Sequence, residues 1–284
     1  MSTHVPALLD RLVDDAAVFP PGSAPLPDAV AAHRGHRAAW YAQMVGPLLV
    51  PASALAAVPP LLTDGESLTV GVVGDTGIDG LSLALGDVDH RVRVAQVEIA
   101  VAKRGEDPQP SLRALLKQLG ERSGLQAYAE TPLTWGLLGA LDTIAEARGG
   151  GIAIAPKFRT GGLAAELFPT PVELAAVICA CRDRDLPFKL TAGLHHAMRH
   201  TDPETGFTHH GFLNVLVATA KAAEGAEVTD VAETLAATDP VPLIEAGRAR
   251  LDQDRPLWIG FGSCSVLDPL TDLIRLGLVN GGFQ

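Results

Sequence analysis

Short runs of apolar residues alternate along the chain with segments that have helical spacing. We assign the runs to eight strands, each bounded by turn residues: residues 16–19, 46–50, 68–73, 92–101, 125–130, 151–157, 188–191 and 257–261. Runs that are apolar on both faces are typical of parallel strands, which are covered on both sides. The pattern therefore predicts buried parallel strands throughout the chain.

Segments with the i, i+3, i+4, i+7 spacing of amphipathic helices separate many of these strands. The spacing predicts helices over residues 111–123, 134–148 and 171–184. Eight strands, most of them separated by one helix, predict an α/β fold, a parallel (β/α)8 TIM barrel. A doubly wound open sheet is the alternative, but no GxGxxG motif follows the first strand.

The stretch between the seventh and eighth strands is longer than one connecting helix needs. We therefore predict that residues 201–255 form an inserted helical segment or lid after strand seven. No linker interrupts the other strands, so we expect residues 1–284 to form a single barrel domain, for which the length is suitable.

The composition indicates an acidic protein with a large core. Apolar residues make up 47% of the chain, and 22 Lys and Arg against 33 Asp and Glu give a net charge of −11. Without a basic block, a nucleic-acid partner is not expected. A membrane partner is not expected either: residues 38–63 are uncharged but contain four prolines, which would break a spanning helix: Pro47, Pro51, Pro59 and Pro60.

The cysteines and the first residues predict a cytoplasmic location. Cys179, Cys181 and Cys264 form neither an even disulfide framework nor a CxxC pair, which fits a reducing compartment. Residues 1–6 lack the basic and apolar regions of a signal peptide. Barrels of this size often form dimers, so a homodimer is compatible with the sequence, although nothing in it marks an interface.

Two lysines lie within otherwise apolar strands near their C-terminal ends, where TIM barrels place their chemistry. Lys157 and Lys189 would be costly there unless they are paired or used. In one interpretation, like-charge repulsion lowers their pKa and produces a neutral amine that forms a Schiff base. In the other, each lysine pairs with a carboxylate such as Glu98 or Glu130 and fills the barrel.

Glycine and hydroxyl residues follow the last two strands, at Thr191, Gly193, Gly262 and Ser263. Such loops bind phosphate through backbone amides in many barrels, although glycine is also ordinary turn chemistry. Against the acidic background, Lys157, Arg159 and Lys189 predict a local cationic group at the mouth. We therefore expect a small anionic metabolite as the ligand.

Histidines are concentrated after strand seven, where five of the nine lie within sixteen residues: His195, His196, His200, His209 and His210. This density permits a metal site that uses His195, His209 or His210, or a proton-transfer role for one histidine. An exposed loop with histidines at its base is the alternative. Cys264 is interpreted as an apolar filler, because no base is near it in sequence.

The order of these motifs resembles that of the deoxyribose-phosphate aldolase family, class I aldolases on a (β/α)8 barrel. Residues 12–20 stand where the family has Leu-Ile-Asp-His-Thr-Leu-Leu-Lys-Pro, and Glu130-Thr131 matches its Glu-Thr pair. Residues 157–161 stand beside its Lys-Thr-Ser-Thr-Gly, residues 189–193 beside Lys-Ala-Ser-Gly-Gly, and residues 259–263 beside Ile-Gly-Thr-Ser-Ser. The resemblance covers about residues 8–265 and implies that Lys157 is the Schiff-base lysine.

Three departures from the family pattern affect the chemistry. The family has Glu-Ile-Asp in strand four, where this chain has Glu98-Ile99-Ala100, so the relay aspartate is missing. Glu98, on the same face of the strand, could act in its place. Arg159 adds a cation that the family lacks. The histidine-rich insertion would supply a lid or a proton carrier.

The leading hypothesis is a class I aldolase-like lyase for a small phosphorylated or carboxylated carbonyl compound. Lys157 forms the imine, Lys189 lowers its pKa, and Glu98 or His195 moves the proton. The substrate is held by other residues at the mouth: Glu130, Arg159, Thr191, Gly193, Gly262 and Ser263. No cofactor is required. The alternatives are a metal-dependent hydrolase or lyase using His195, His209 or His210 with Glu98 or Glu130, and a non-catalytic anion-binding barrel.

Overall fold

The predicted strands close into a parallel barrel in a computed structural model that describes residues 4–120, 122 and 124–281. The strands in chain order are β1 (Val13–Asp15), β2 (Val45–Pro51), β3 (Leu68–Val73), β4 (Val92–Ala100), β5 (Gln126–Glu130), β6 (Ile154–Arg159), β7 (Phe188–Thr191), β8 (His200–Thr201), β9 (Thr208–His209) and β10 (Trp258–Ser263). The barrel order is β1, β10, β7, β6, β5, β4, β3, β2, whereas β8 and β9 form a separate antiparallel pair. The (β/α)8 TIM barrel is thereby confirmed.

α-Helices connect most of the barrel strands and pack outside them, whereas β2 and β3 are joined through the 3-10 helices Ala52–Ala57 and Pro59–Leu61. The α-helices are α1 (Leu26–Ala38), α2 (Gly77–Gly86), α3 (Gln109–Gly120), α4 (Leu137–Gly149), α5 (Pro171–Arg182), α6 (Phe212–Ala223), α7 (Val228–Ala236), α8 (Pro240–Arg248) and α9 (Leu267–Arg275). The three predicted helices correspond to α3, α4 and α5, although Ser123, the predicted end of the first, lies outside the described residues. Leu112, Leu115 and Leu119 of α3 are buried, as the helical spacing indicates.

The first strand was predicted at residues 16–19, and this position is wrong, since β1 is Val13–Asp15. Asp14 and Asp15 have the appearance of turn residues, but both carboxylates are buried and paired. Asp14 contacts Lys189, and Asp15 Oδ2 lies 2.9 Å from His33 Nδ1 of α1. Charged residues can therefore occupy this strand because partners elsewhere in the fold compensate them.

Half-buried Arg255 connects the two sides of the seam where the barrel closes between β1 and β10. Its guanidinium donates hydrogen bonds to the carbonyl oxygens of Leu8 at 2.5 Å and Asp10 at 3.0 Å, just before β1. It also donates to the carbonyl oxygens of Trp258 at 2.7 Å and Ile259 at 2.5 Å, in β10. Burial lowers the pKa of Arg255 to about 10. One side chain thus joins the first and last barrel strands.

The segment between β7 and β10 contains the predicted inserted helices. Helix α6 is buried along most of its length and packs against α5, α7 and α8, so it belongs to the outer layer of helices. The short β8–β9 pair instead contacts the loops after β6 and β7, on the C-terminal side of the barrel. Within the described residues, we find no helix with the length and apolar character that crossing a membrane requires.

Candidate functional site

Six charged side chains of alternating sign form a row inside the barrel. The row, called the charged row below, consists of Arg159, Glu130, Lys157, Glu98, Lys189 and Asp14. Alternation along each strand explains it: Phe158 and Leu190 are buried in the apolar core, so Lys157 and Lys189 point the opposite way. Lys157 and Lys189 are also register partners on β6 and β7. Five strands thus contribute to one interior cluster.

The contacts along the charged row are short. Arg159 Nη2 lies 3.1 Å from Glu130 Oε1, and Glu130 Oε2 lies 2.7 Å from Lys157 Nζ. Lys157 Nζ is also 2.7 Å from Glu98 Oε2, and Glu98 Oε1 is 2.5 Å from Lys189 Nζ. Lys189 ends the row in a contact with the Asp14 carboxylate. Each lysine is therefore held between two carboxylates.

The charged row is exposed at its Arg159 end and buried from Lys157 onward. The Arg159 side chain is 43% exposed, whereas Lys157 is 5% and Lys189 2% exposed. Arg159 and Glu130 are the last residues of β6 and β5, at the C-terminal mouth of the barrel. Of the two lysines, Lys157 is the one that contacts Glu130 at the mouth.

The predicted mutual lowering of the lysine pKa values is wrong. Burial does lower the pKa of Lys157, but the carboxylates of Glu130 and Glu98 outweigh it and raise the pKa above its ordinary value. Asp14 and Glu98 likewise raise the pKa of Lys189 against the effect of burial. The structure matches the alternative interpretation, in which the lysines are paired with carboxylates.

The carboxylate at the centre of the charged row is also held in its ionised form. Burial acts to raise the pKa of Glu98, but Lys157 and Lys189 outweigh it and lower the pKa to about 2. Three cations and three carboxylates then balance. The prediction of a local excess of positive charge at Lys157, Arg159 and Lys189 is therefore wrong, because the cluster as a whole is neutral.

Sequence reasoning missed Asp14 of the charged row and two neighbours of the row, Gln96 and Tyr128. Gln96 Nε2 donates to Asp14 Oδ2 at 2.6 Å and to Glu98 Oε1 at 3.1 Å. Lys189 Nζ lies 4.7 Å from the centre of the Tyr128 ring, at cation–π distance. Two signals could have found them: Gln96 and Tyr128 stand two residues before Glu98 and Glu130, and Asp14 matches the aspartate of the resembling family's first motif.

The loops after β6 and β7 touch at two glycines. A Cβ on Gly161 would lie 3.0 Å from Gly193 Cα, and Gly193 has φ +81°, a conformation that favours glycine. The Thr160 hydroxyl donates to Ala192 O at 2.6 Å across the same contact. The close approach and the positive φ explain why glycine occupies position 193. An anion-binding role for the Gly193 amide stays a prediction.

The remaining predicted substrate residues lie where β7 and β10 meet. Thr191 and Gly262 are register partners, and a Cβ on Gly262 would lie 3.7 Å from Thr191 Oγ1, so Gly262 leaves space beside that hydroxyl. Ser263 is 1% exposed, and its hydroxyl donates to Ser265 O at 2.7 Å. The Ser263 side chain is therefore engaged in its own loop.

His195 lies beside the end of β10, close to Ser263 and Cys264. His195 Nδ1 is 3.3 Å from Ser263 Oγ and 3.8 Å from Cys264 Sγ. No base is near Cys264 in the sequence, but the fold places His195, from a distant segment, beside it. Burial lowers the pKa of His195 and raises the pKa of Cys264, which favours the neutral form of both.

The predicted metal ligands do not converge on one point. The His209 ring lies 3.2 Å from Gly193 O, while His210 is buried with its ring 2.8 Å from Pro169 O. Burial also lowers the pKa of His210 to about 4. Over residues 4–120, 122 and 124–281, no group of three or more His, Cys, Asp and Glu side chains is placed to hold a metal ion. The structure therefore contradicts the prediction that His195, His209 and His210 together bind a metal ion.

Comparison with protein-family models gives no match, and comparison with curated proteins gives no significant match. The barrel is a fold that many enzymes share. The charged row and the residues around it are therefore the features that bear on function.

Proposed function

We propose that the chain is a class I aldolase-type lyase in which Lys157 forms an imine with a small phosphorylated or carboxylated carbonyl compound. One observation carries the proposal: the Lys157 amine lies next to the barrel mouth, with a carboxylate oxygen of Glu98 and one of Glu130 each 2.7 Å away. An amine with two adjacent proton acceptors is equipped for imine chemistry. The motif order that resembles the aldolase family supports the same assignment.

Imine formation begins with the loss of a proton from Lys157. Glu130 or Glu98 accepts it, and the neutral amine adds to the carbonyl carbon of the substrate. The proton then passes to the oxygen of the resulting carbinolamine, which leaves as water. The protonated imine carries the same single positive charge as the original ammonium group. Its pairing with the two carboxylates is therefore kept.

Cleavage of the carbon–carbon bond requires a second proton acceptor. A base takes the proton of the substrate's β-hydroxyl group, the bond breaks to release an aldehyde, and the electron pair moves into an enamine on Lys157. Protonation of the enamine carbon and addition of water then release the second product and restore the amine. Glu98 and His195 are the proposed proton carriers, and Glu98 takes the role for which Ala100 has no side-chain group.

Arg159 is the proposed anchor for the anionic group of the substrate. Its guanidinium is the most exposed member of the charged row and already binds a carboxylate, Glu130, through Nε at 3.2 Å and Nη2 at 3.1 Å. A substrate phosphate or carboxylate would compete with Glu130 for this fork. Substrate binding would then release Glu130 to accept the proton of Lys157.

Borohydride trapping tests the proposal. The protein is incubated with aldehydes and keto acids, with and without a phosphate group, then reduced and mapped by mass spectrometry. We expect a stable adduct on Lys157, strongest with the anionic compounds, and none after Lys157→Arg. The exposed Lys103 and Lys117 serve as internal controls for nonspecific reaction. Absence of an adduct on Lys157 with every carbonyl compound would remove the main support for the lyase.

A non-catalytic anion-binding barrel is the second candidate. The complete pairing of the three cations and three carboxylates favours it, because such a cluster also serves as a structural core. In this case, anions would bind in an Arg159-dependent manner while borohydride gives no adduct on Lys157.

A further inference from the structure

A cavity of about 650 Å³ opens at the opposite end of the barrel from the charged row. Its walls include the N-terminal ends of β2, β3 and β4, together with α1 and the residues just before β1. Six charged residues other than histidine line it: Asp10, Arg11, Arg34, Arg37, Glu66 and Arg93. Four arginines against two carboxylates give this cavity a positive excess in a chain whose net charge is −11.

One arginine and one carboxylate in the cavity neutralise each other. Arg34 Nη2 donates to Glu66 Oε2 at 2.9 Å and Arg34 Nε donates to Glu66 Oε1, a bidentate ion pair. Arg34 also donates to Leu61 O. The cavity's buried His33 is paired with Asp15. Three arginines then remain against one carboxylate, Asp10, so the cavity keeps an excess of two positive charges.

These three arginines retain unused hydrogen-bond donors. Arg37 Nη1 donates to Ala42 O at 2.8 Å and Val45 O at 2.9 Å, which fixes the guanidinium while Nε and Nη2 have no acceptor among the described residues. Arg11 and Arg93 are exposed, and their side chains have no ion-pair or hydrogen-bond partner in the part of the chain that the structure describes. Arg11 is also held at φ +47°, where its backbone N–H donates to Gln43 O at 2.8 Å.

We propose that this cavity is a binding site for a small ligand with phosphate or carboxylate groups, separate from the barrel mouth. Guanidinium groups bind such oxygens in a bidentate manner, and Arg11, Arg37 and Arg93 present them to one space. The volume lies within the usual range for small-molecule sites. A left-handed backbone conformation is strained at a non-glycine residue such as Arg11. The hydrogen bond to Gln43 O stabilises Arg11 in this strained conformation.

Calorimetric titration with inorganic pyrophosphate tests the site, since the probe carries two phosphate groups. The titrations use the Arg159→Gln background, in which the mouth has lost its proposed anchor. There we expect one equivalent to bind, more weakly at high salt, and Arg93→Gln to weaken binding about tenfold. The double variant Arg11→Gln with Arg93→Gln should weaken it further. Arg113→Gln, which removes an exposed charge on α3, should leave the affinity unchanged in the same background.

Three results would overturn the site: no binding at low salt, equal affinity in the double variant, or loss only in Arg159→Gln. The last would place the anion at the mouth. Because the variants could also unfold, the unaltered protein is crystallised and soaked with tungstate. An anomalous peak between Arg11, Arg37 and Arg93 supports the site, and its absence there counts against it.

Discussion

At the residue scale, the reactivity of Lys157 depends on the carboxylates that hold its proton. Glu130 and Glu98 raise its pKa, so the neutral amine needed for imine formation becomes more abundant as the pH rises above neutral. We expect trapping of the proposed imine to be slow near neutral pH and faster in alkaline solution. Removal of the Lys157 proton therefore contributes to the activation barrier for imine formation.

Glu130→Gln should move this pH profile toward lower pH. The variant removes one negative charge 2.7 Å from Lys157 Nζ, so the pKa of Lys157 should fall, by about one unit or more. The measurement is the initial rate of imine trapping with cyanoborohydride as a function of pH. Glu106→Gln, at an exposed position, is the matched control. An unchanged profile, or one shifted to higher pH, would contradict the assigned electrostatics.

The sequence allowed the site residues to be selected but not their protonation. Lys157 and Lys189 are conspicuous because lysine is costly in an apolar strand, and Glu98 and Glu130 are plausible partners for the same reason. The sign of each pKa shift depends on distances across the barrel. Asp14, for example, approaches Gln96 from a position 82 residues earlier in the chain. Local spacing carries no information about such a contact.

At the element scale, the barrel depends on the seam between its first and last strands. Strand β1 has only three residues, and Arg255 supplements its pairing with hydrogen bonds to both sides of the seam. This short strand was missed in the sequence because two of its three residues, Asp14 and Asp15, are charged and interrupt the apolar pattern. Strands β3 and β7, by contrast, were predicted with their observed bounds.

Arg255→Lys should destabilise the protein although it keeps the charge. Lysine cannot reproduce the planar fork that donates to four carbonyl oxygens, so buried acceptors lose their donors. We expect the free energy of unfolding in urea to fall by about 3 kcal/mol. Arg113→Lys on the exposed face of α3 provides the comparison. A difference between the two variants within about 0.5 kcal/mol would argue against this role of Arg255.

At the scale of the whole molecule, stability should be greatest at intermediate pH. Glu98 has a pKa of about 2 in the folded chain and an ordinary value of 4.5, so its stabilisation is present above 4.5 and lost as the pH falls toward 2. The pKa values of Lys157 and Lys189 are raised. Their stabilisation is therefore present below the ordinary value of 10.5 and lost as the pH rises through the higher folded values.

Lys189→Met tests this balance. The variant leaves the buried carboxylates of Asp14 and Glu98 without their shared cation, which should cost about 3–5 kcal/mol near neutral pH. The loss should shrink in acid, where the carboxylates can take up protons. Urea unfolding at several pH values measures it, with the exposed Lys117→Met as control. A loss that is the same at all pH values would show that lost packing, rather than charge, is responsible.

The overall architecture was readable from the sequence because most of the parallel strands are largely apolar and several helices repeat an apolar face. The register between strands was not readable, since parallel pairing leaves no local sequence mark. The β8–β9 pair was also missed, because two-residue strands are too short to produce a period. The inserted helices, in contrast, were indicated by length alone.

The glycine contact between the loops after β6 and β7 has a consequence for substrate size. Gly161 and Gly193 touch, Thr160 is bonded to Ala192, and the His209 ring contacts Gly193 O. Both loops and the β8–β9 pair therefore form one stiff wall that would have to move as a unit. A bulkier compound would have to displace three segments together, so this side of the barrel should tolerate little enlargement of the substrate.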